Sequence, residues 1–186
     1  MTMPISAIIL SGGLSRRMSG QDKGLLPWRE RPLIDHVIEH VHPQVDELMI
    51  NANRNHPAYA ERQLPIVPDE HDDNPGPLAG MAAGLAQCRH DWLLVLPCDT
   101  PQPPKDLAAR LYEKAEQAPV VASLDGHMQP VFCLLHRRHR QSLIDFLARG
   151  ERRARHWLRD QQAIEVDFSD QPDAFMNINQ PEDLRP

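Results

Sequence analysis

The sequence has few of the residues that cross-link secreted domains or hold transition metals. Only three cysteines occur in 186 residues, namely Cys88, Cys98 and Cys133. Their number is odd and no two form a Cys-x-x-Cys pair, so a disulfide framework is not expected. Two of them lie in apolar runs, which indicates buried free thiols in a reducing cytosol. No group of histidines, cysteines and aspartates has transition-metal spacing.

Long apolar segments and a positive net charge are also missing. No stretch approaches the roughly 20 apolar residues of a membrane span, and no basic leader precedes a hydrophobic segment. The formal net charge of −6 argues against a nucleic-acid binder that works by bulk electrostatics. We therefore expect a cytoplasmic protein with no membrane or nucleic-acid partner. No Gly-x-Ser-x-Gly segment supports a serine nucleophile.

What is present is the composition of a globular domain, with 41% hydrophobic and 25% charged residues. At this length one domain over residues 1–186 is expected. Short apolar runs alternate with helical periodicity, which indicates βαβ units and a mostly parallel sheet. The predicted strands are 6–10, 47–50, 64–67, 92–96, 120–124 and 131–135, and the predicted helices are 33–41, 78–88, 107–118 and 141–149.

The segment 10–23 is the most unusual part of the chain. An apolar run breaks into Gly12 and Gly13, where the missing side chains let the backbone approach a ligand closely. Arg16, Arg17 and Lys23 add positive charge, and exposed backbone N–H groups beside them suit a polyphosphate. The segment lacks the Gly-Lys-Ser/Thr of a P-loop and the Gly-x-Gly-x-x-Gly of a dinucleotide fold. It predicts a third kind of nucleotide loop.

Polar residues follow the next three predicted strands where each strand ends. They are Asn51, Asp69 and Asp99. In an open parallel sheet, ligands collect at this edge, so these side chains are expected to converge on one cleft. Each alone could simply stabilise a turn. Asp99 is the best metal candidate, because Mg²⁺ takes one or two carboxylates together with phosphate oxygens.

Several other segments allow two interpretations. The small residues of 74–80 permit either ligand contact or tight helix–sheet packing. The basic clusters 136–140 and 151–156 are expected on helices, as solvated faces or as docking surfaces for an anion. Segment 175–181 resembles a short edge segment whose asparagines either orient a ligand or cap a terminal helix. His36 and His40 are expected to be solvated or capping.

Nine short motifs together resemble those of one enzyme family, in order and over nearly the whole chain. The motifs are 10–13 (Leu-Ser-Gly-Gly), 17–18 (Arg-Met), 20–23 (Gly-Gln-Asp-Lys), 50–54 (Ile-Asn-Ala-Asn-Arg), 68–69 (Pro-Asp), 75–80 (Pro-Gly-Pro-Leu-Ala-Gly), 97–101 (Pro-Cys-Asp-Thr-Pro), 150–153 (Gly-Glu-Arg-Arg) and 177–182 (Asn-Ile-Asn-Gln-Pro-Glu). The sequence resembles the molybdenum cofactor guanylyltransferases of the MobA type. The glycine-rich loop alone would indicate only the wider nucleotidyltransferase superfamily. The motifs 97–101 and 177–182 narrow the resemblance to this family.

This resemblance implies a three-layer, Rossmann-like α/β fold with a mostly parallel central sheet flanked by helices. It implies transfer of GMP from GTP to molybdopterin, with Mg²⁺ as cofactor and pyrophosphate as second product. The GTP-binding positions it implies are Leu10, Ser11, Gly12, Lys23, Asn51, Asp69 and Asp99, to which Gly13 is added, with Asp99 also the metal ligand. Transient contacts with other cofactor-biosynthesis and delivery proteins are expected too, and a monomer is predicted.

Physical reasoning assigns roles to these residues. The phosphate of molybdopterin is already a nucleophile, so catalysis reduces to alignment and charge stabilisation. Lys23 is expected at the reacting phosphates, Arg17 at the departing pyrophosphate and Asp99 on the metal. Asp69 suits the N1–H and exocyclic amine of guanine. The residues predicted to bind molybdopterin are Arg152, Arg153, Asn177 and Asn179. The single domain is expected to have a nucleotide-binding half at about 1–100 and an acceptor-binding half at about 101–186.

Two positions depart from the family pattern, and two other functions stay open. Ser11 replaces the usual alanine, and Ser19 replaces the first glycine of a Gly-Gly pair found in many members. One alternative is a related enzyme with another nucleotide or acceptor, such as a cytidylyltransferase or a sugar-phosphate nucleotidyltransferase. Gly13 favours GTP, because cytidylyl relatives usually have Leu-Ala-Ala-Gly there. The other is a noncatalytic module that kept the cleft, against which Lys23 and Asp99 argue.

Overall fold

A computed structural model describes residues 3–11, 22–70, 76–179 and 183 of the chain. The strands are β1 (Met3–Leu10), β2 (Pro27–Trp28), β3 (Arg31–Pro32), β4 (Val45–Asn51), β5 (Ile66–Val67), β6 (Trp92–Pro97), β7 (Val120–Leu124), β8 (His127–His136) and β9 (Ile164–Asp167). The α-helices are α1 (Leu33–Val41), α2 (His56–Ala60), α3 (Pro77–Gln87), α4 (Leu107–Tyr112), α5 (Arg140–Ala148) and α6 (Ala154–Asp160). Single 3₁₀ turns join several of them.

Seven of the strands form one sheet in the order β5-β4-β1-β6-β8-β7-β9. The first four run parallel, β8 is antiparallel to both of its neighbours, and β9 is parallel to β7. Strands β2 and β3 form a separate antiparallel ribbon. The prediction of an α/β fold with a mostly parallel sheet is therefore confirmed.

Helices cover both faces of this sheet, as the side-chain alternation of β1 shows. Ile5, Ala7 and Ile9 belong to the core cluster that contains the apolar residues of α1 and α4. Ile8 points to the other cluster, which is built from α3, α5 and α6. All four side chains are fully buried. A strand buried on both faces reads as a continuous apolar run, and this is why β1 could be predicted from the sequence.

Several local predictions need correction. Helix α4 ends at Tyr112 instead of continuing to residue 118, because residues 113–117 are mostly exposed and polar and add little of the apolar packing that stabilises a helix. The basic residues 151–153 precede α6 instead of lying on a helix, and 176–179 form no strand. His36 is buried and its Nε2 lies 2.8 Å from the carbonyl oxygen of Trp28, so it is a core histidine.

None of the helices in the described part of the chain has the length and apolar character of a membrane span.

Helix α3 packs directly on the sheet at Gly84, which has no side chain. A Cβ atom at this position would lie 2.9 Å from both Ile8 Cδ1 and Leu93 Cδ2. Real Cβ atoms do not approach neighbours so closely. The small residues of α3 therefore serve helix–sheet packing over at least this turn.

Gly84→Val is expected to lower the free energy of unfolding by about 2 kcal/mol, because overpacking a filled core costs roughly 1–3 kcal/mol. Urea unfolding measures the loss. Ala86→Val is the matched control, since Ala86 is exposed on the same helix and pays only about 0.5 kcal/mol of helix propensity. Equal unfolding midpoints for the two variants would contradict the close packing of α3.

Candidate active site

The strands β1, β4, β5 and β6 end at the same level, and this brings the predicted site residues together. Leu10 pairs with both Asn51 and Pro97, and Asn51 pairs with Val67. Backbone hydrogen bonds continue one residue further, from Ser11 N to the Asn51 oxygen (2.8 Å) and from Cys98 N to the Leu10 oxygen (3.1 Å). The polar residues that follow these strands therefore leave the sheet at one edge.

One side of this edge is organised around the carboxylate of Asp69. Asn51 Nδ2 donates to Asp69 Oδ1 and Asn53 Nδ2 donates to Asp69 Oδ2, both at 2.8 Å. Asn53 Oδ1 in turn accepts from the backbone N–H of Asp69 at 2.8 Å. A carboxylate accepts up to about four hydrogen bonds, so the bonds from described residues leave two acceptor positions of Asp69 for a ligand. Asn53 is a site residue to which no specific role was assigned from the sequence.

Gly80 on α3 makes room for the side chain that holds this carboxylate. A Cβ at Gly80 would lie 2.4 Å from Asn51 Oδ1 and 2.8 Å from its Cγ. Asn51 is buried, and its Nδ2 also donates to the Val67 oxygen at 3.0 Å. At Gly80 the small-residue start of α3 therefore serves packing against Asn51. Contact of 74–80 with a ligand stays a prediction, and residues 74 and 75 lie outside the described part of the chain.

The other side of the edge is built around Lys23. Its Nζ lies 2.6 Å from Asp99 Oδ2 and donates at 2.7 Å to Asn179 Oδ1. Both charged side chains are about four-fifths buried, at 18% and 19% exposure. Because both side chains are partly desolvated, solvent and salt screen their mutual attraction less than they screen a surface pair. The ammonium group of Lys23 therefore lies beside the carboxylate that follows β6.

The segment 177–179 crosses this side and lies against the end of β6. The hydroxyl of Thr100 donates to Asn177 Oδ1 at 2.6 Å, and Ile178 N donates to the Asp99 oxygen at 2.8 Å. Ile178 is buried against the ribbon region, in a cluster with Leu26, Trp28 and Leu33. Asn177 and Asn179 therefore both reach the candidate site, although the segment is not a strand. Thr100 is a further site residue; motif 97–101 contains it but no role was inferred.

A single metal-binding position fits the oxygen chemistry of this centre. Asp99 Oδ1 is buried and has no hydrogen-bond partner among the residues described. Within the same residues, no group of three or more histidines, cysteines, aspartates and glutamates could hold a metal by itself. An ion bound to Oδ1 would therefore take its other ligands from substrate oxygens and water, as Mg²⁺ commonly does in proteins.

Cys98 lies directly before Asp99 and is a core residue. Burial, with a smaller contribution from the Asp99 charge, raises the pKa of its thiol to about 12. Such a thiol is neutral at physiological pH and is a poor nucleophile. The prediction of a buried free thiol holds for Cys98, and also for Cys88 and Cys133.

The other predicted residues have different placements. Arg152 donates to the carbonyl oxygens of Leu147 and Glu151 at 2.8 and 2.7 Å, so its guanidinium caps the end of α5. Arg153 is exposed directly before α6. Gly12, Gly13, Arg17 and Ser19 lie outside the described residues.

The comparisons with known proteins agree on one family. The model of the MobA-like NTP transferase domain matches residues 7–166. A molybdenum cofactor guanylyltransferase from Shewanella woodyi is 45% identical, covering 98% of this chain and 94% of that protein. The chain belongs to the molybdenum cofactor guanylyltransferase family. Another protein of that name, from Shewanella halifaxensis, is 44% identical, covering 98% of this chain and 92% of that protein.

Two solved structures of lower sequence identity share the fold of this chain. The molybdopterin-guanine dinucleotide biosynthesis protein A of Archaeoglobus fulgidus has a TM-score of 0.80 at 22% identity, covering 96% of this chain and 94% of that chain. A CTP complex of CMP:2-keto-3-deoxy-manno-octonic acid synthetase has a TM-score of 0.69 at 12% identity, covering 96% and 94%. The fold of this chain is therefore shared with both of these solved structures.

Gly80→Ala is expected to weaken binding of a nucleoside triphosphate by roughly tenfold or more, because the new methyl group displaces Asn51 and releases Asp69. Calorimetric titration with each of the four nucleotides measures this. Gly84→Ala is the control, since it makes the same chemical change in the same helix but meets only Ile8 and Leu93. Wild-type affinity in Gly80→Ala would show that Asn51 does not need the space at Gly80.

Proposed function

We propose that this chain is a molybdenum cofactor guanylyltransferase, transferring GMP from GTP to the terminal phosphate of molybdopterin. A molybdopterin phosphate oxygen bonds to the α-phosphorus of GTP, and the bond from that phosphorus to the bridging oxygen of pyrophosphate breaks. The observation that carries the proposal is the pairing of Lys23 with Asp99 at the end of β6, at the sheet edge that also bears Asp69. Family membership supports the choice of substrates.

The carboxylate of Asp69 is assigned to guanine. Asn51 and Asn53 each donate a hydrogen bond to one oxygen of this carboxylate, which fixes the orientation of its remaining acceptor positions. Guanine offers two adjacent donors, N1–H and the exocyclic amine, whereas adenine lacks this donor pair. A fixed acceptor pair rejects a base that lacks the matching donors more strongly than shape alone can.

Lys23 and Asp99 are assigned to the triphosphate. The ammonium group of Lys23 is positioned by two oxygen acceptors and needs little reorganisation to stabilise charge on phosphate oxygens. Asp99 would hold Mg²⁺ through its unpaired Oδ1. When bound, the ion neutralises charge on the phosphates. No general base is required, because the attacking phosphate is already an anion.

The remaining assignments extend the site beyond the described geometry. Arg17, with Gly12 and Gly13, is assigned to the pyrophosphate. Arg152, Arg153, Asn177 and Asn179 stay the proposed acceptor side, and the contact of Asn179 with Lys23 supports a position beside the reacting phosphates. With Arg152 occupied by α5, Arg153 is the stronger candidate of the two arginines. The proposed enzyme has a nucleotide half and an acceptor half and is a monomer. Its proposed location is the cytoplasm, where it contacts cofactor-delivery proteins.

The decisive test is pyrophosphate release with molybdopterin and each of GTP, ATP, CTP and UTP. Of the four nucleotides, only GTP is expected to give pyrophosphate release and a guanine dinucleotide. EDTA should stop the reaction until Mg²⁺ is restored in excess. Asp99→Asn is the inactive control, because it retains shape but loses the charge that binds the metal. Release with CTP instead would identify a cytidylyltransferase. No release with any nucleotide would favour a noncatalytic module.

Asp69→Ala is expected to lower kcat/KM for GTP by roughly 10²-fold or more and to reduce the preference for GTP over ITP. Inosine keeps N1–H but lacks the exocyclic amine, so the comparison isolates the contact to that amine. Steady-state kinetics with both nucleotides measure the change. An undiminished GTP-to-ITP ratio in the variant would remove Asp69 from the guanine site.

A further inference from the structure

The residue before Lys23 is a buried carboxylate that the proposed reaction does not use. Asp22 is only 7% exposed. The hydroxyl of Tyr59 donates to its Oδ1 at 2.5 Å, and Asn55 Nδ2 donates to its Oδ2 at 2.9 Å. Arg54 Nε lies 3.8 Å from the same Oδ2. All three partners belong to the segment that follows β4.

The surroundings of Asp22 are shaped to permit these contacts. A Cβ at Gly24 would lie 2.6 Å from the Tyr59 hydroxyl oxygen, so only glycine leaves room for the phenol. Asn55 has left-handed backbone with φ of 54°, which asparagine tolerates better than most residues. Tyr59 is fully buried, and burial together with its bond to Asp22 raises the pKa of the hydroxyl. The phenol therefore remains a hydrogen-bond donor at neutral pH.

Capping of the following turn does not account for this carboxylate. Asp22 precedes the 3₁₀ turn Lys23–Leu25, where an aspartate normally accepts a backbone N–H as a cap, but its side chain makes no such bond. It faces Asn55 and Tyr59 instead. Burying a carboxylate costs free energy even when it is paired, and a packed apolar side chain often stabilises as well or better. These contacts therefore hold the Asp22 carboxylate in one orientation and add little to the free energy of folding.

We propose that Asp22 and Tyr59 are positioning residues that act through Lys23. They fix the backbone of Lys23, while Asp99 and Asn179 hold its Nζ, so the side chain is restrained at both ends. This inference rests on the proposed function, because it assigns to Lys23 a role at the GTP phosphates. Preorganisation of this kind lowers the cost of aligning the reacting groups.

The same segment also spaces the two sides of the cleft. Asn51 and Asn53 bind Asp69, and a few residues later Asn55 and Tyr59 bind Asp22. A single short stretch of chain thereby sets the position of the guanine acceptor and of the phosphate-binding lysine. The distance between them is fixed by residues 51–59.

Tyr59→Phe tests the proposal, since it removes one hydroxyl and keeps the ring. We expect kcat/KM for GTP to fall roughly tenfold, because displacing a catalytic group by a fraction of an ångström is costly. Tyr112→Phe, at the only other tyrosine, is the control and should keep wild-type kinetics, because Tyr112 makes an edge contact with Trp92 away from the site. Wild-type kinetics in Tyr59→Phe would overturn the inference.

A double-mutant cycle separates positioning from stability. On a Lys23→Ala background, Tyr59→Phe should cause no further loss of GTP affinity by calorimetry, since the group through which it acts is gone. An equal loss on both backgrounds would mean that Tyr59 acts only on the fold. Asn55→Gly is a second variant that keeps left-handed backbone and removes one donor to Asp22. It should give a smaller loss with the same dependence on Lys23, and losses independent of Lys23 would count against the proposal.

The two proposals fail differently in these measurements. If the wild-type protein transfers no GMP, the proposed function is wrong. If it transfers GMP and Tyr59→Phe does so at the same rate, only the positioning role is wrong. Thermal unfolding of each variant, compared with Tyr112→Phe, shows whether a loss of activity follows loss of structure.

Discussion

The candidate site depends on the register of β1 with its two neighbours. Leu10 pairs with Asn51 on one side and with Pro97 on the other, so three parallel strands end at one level. A slip of one residue in either ladder would move a whole set of side chains to the other face of the sheet. The fully buried, alternating side chains of β1 prevent such a slip, because they fill two separate cores. Apolar packing thereby sets the position of the polar groups.

A second constraint is the return of the chain to this edge through its final described residues. Strand β8 runs antiparallel to β6, and the chain passes through α5, α6 and β9 before segment 177–179 lies on the end of β6. Burial of Ile178 beside Leu26 and Leu33 holds the segment in place. Asn177 and Asn179 on either side of it then face Thr100 and Lys23. One apolar side chain positions two polar ones.

The sequence predicts the strand ends well and the contacts between distant segments poorly. Asn51, Asp69 and Asp99 could be placed at one edge because parallel strands share a direction. The contact of Lys23 with Asn179 spans 156 positions, and no local pattern encodes it. Asp22 looks like an ordinary cap, since only the fold brings Tyr59 against it. Arg152 could not be assigned to the end of α5, because a long basic side chain is free to turn either way. Ribbon strands of two residues are too short to show periodicity.

The contact between Lys23 and Asn179 also has a consequence for synthesis of the protein. Translation adds Lys23 156 residues before its amide partner. A nascent chain that already contains β1, β4, β6 and Asp99 still lacks Asn179. The complete set of contacts to Lys23 can therefore form only after residue 179 has been added.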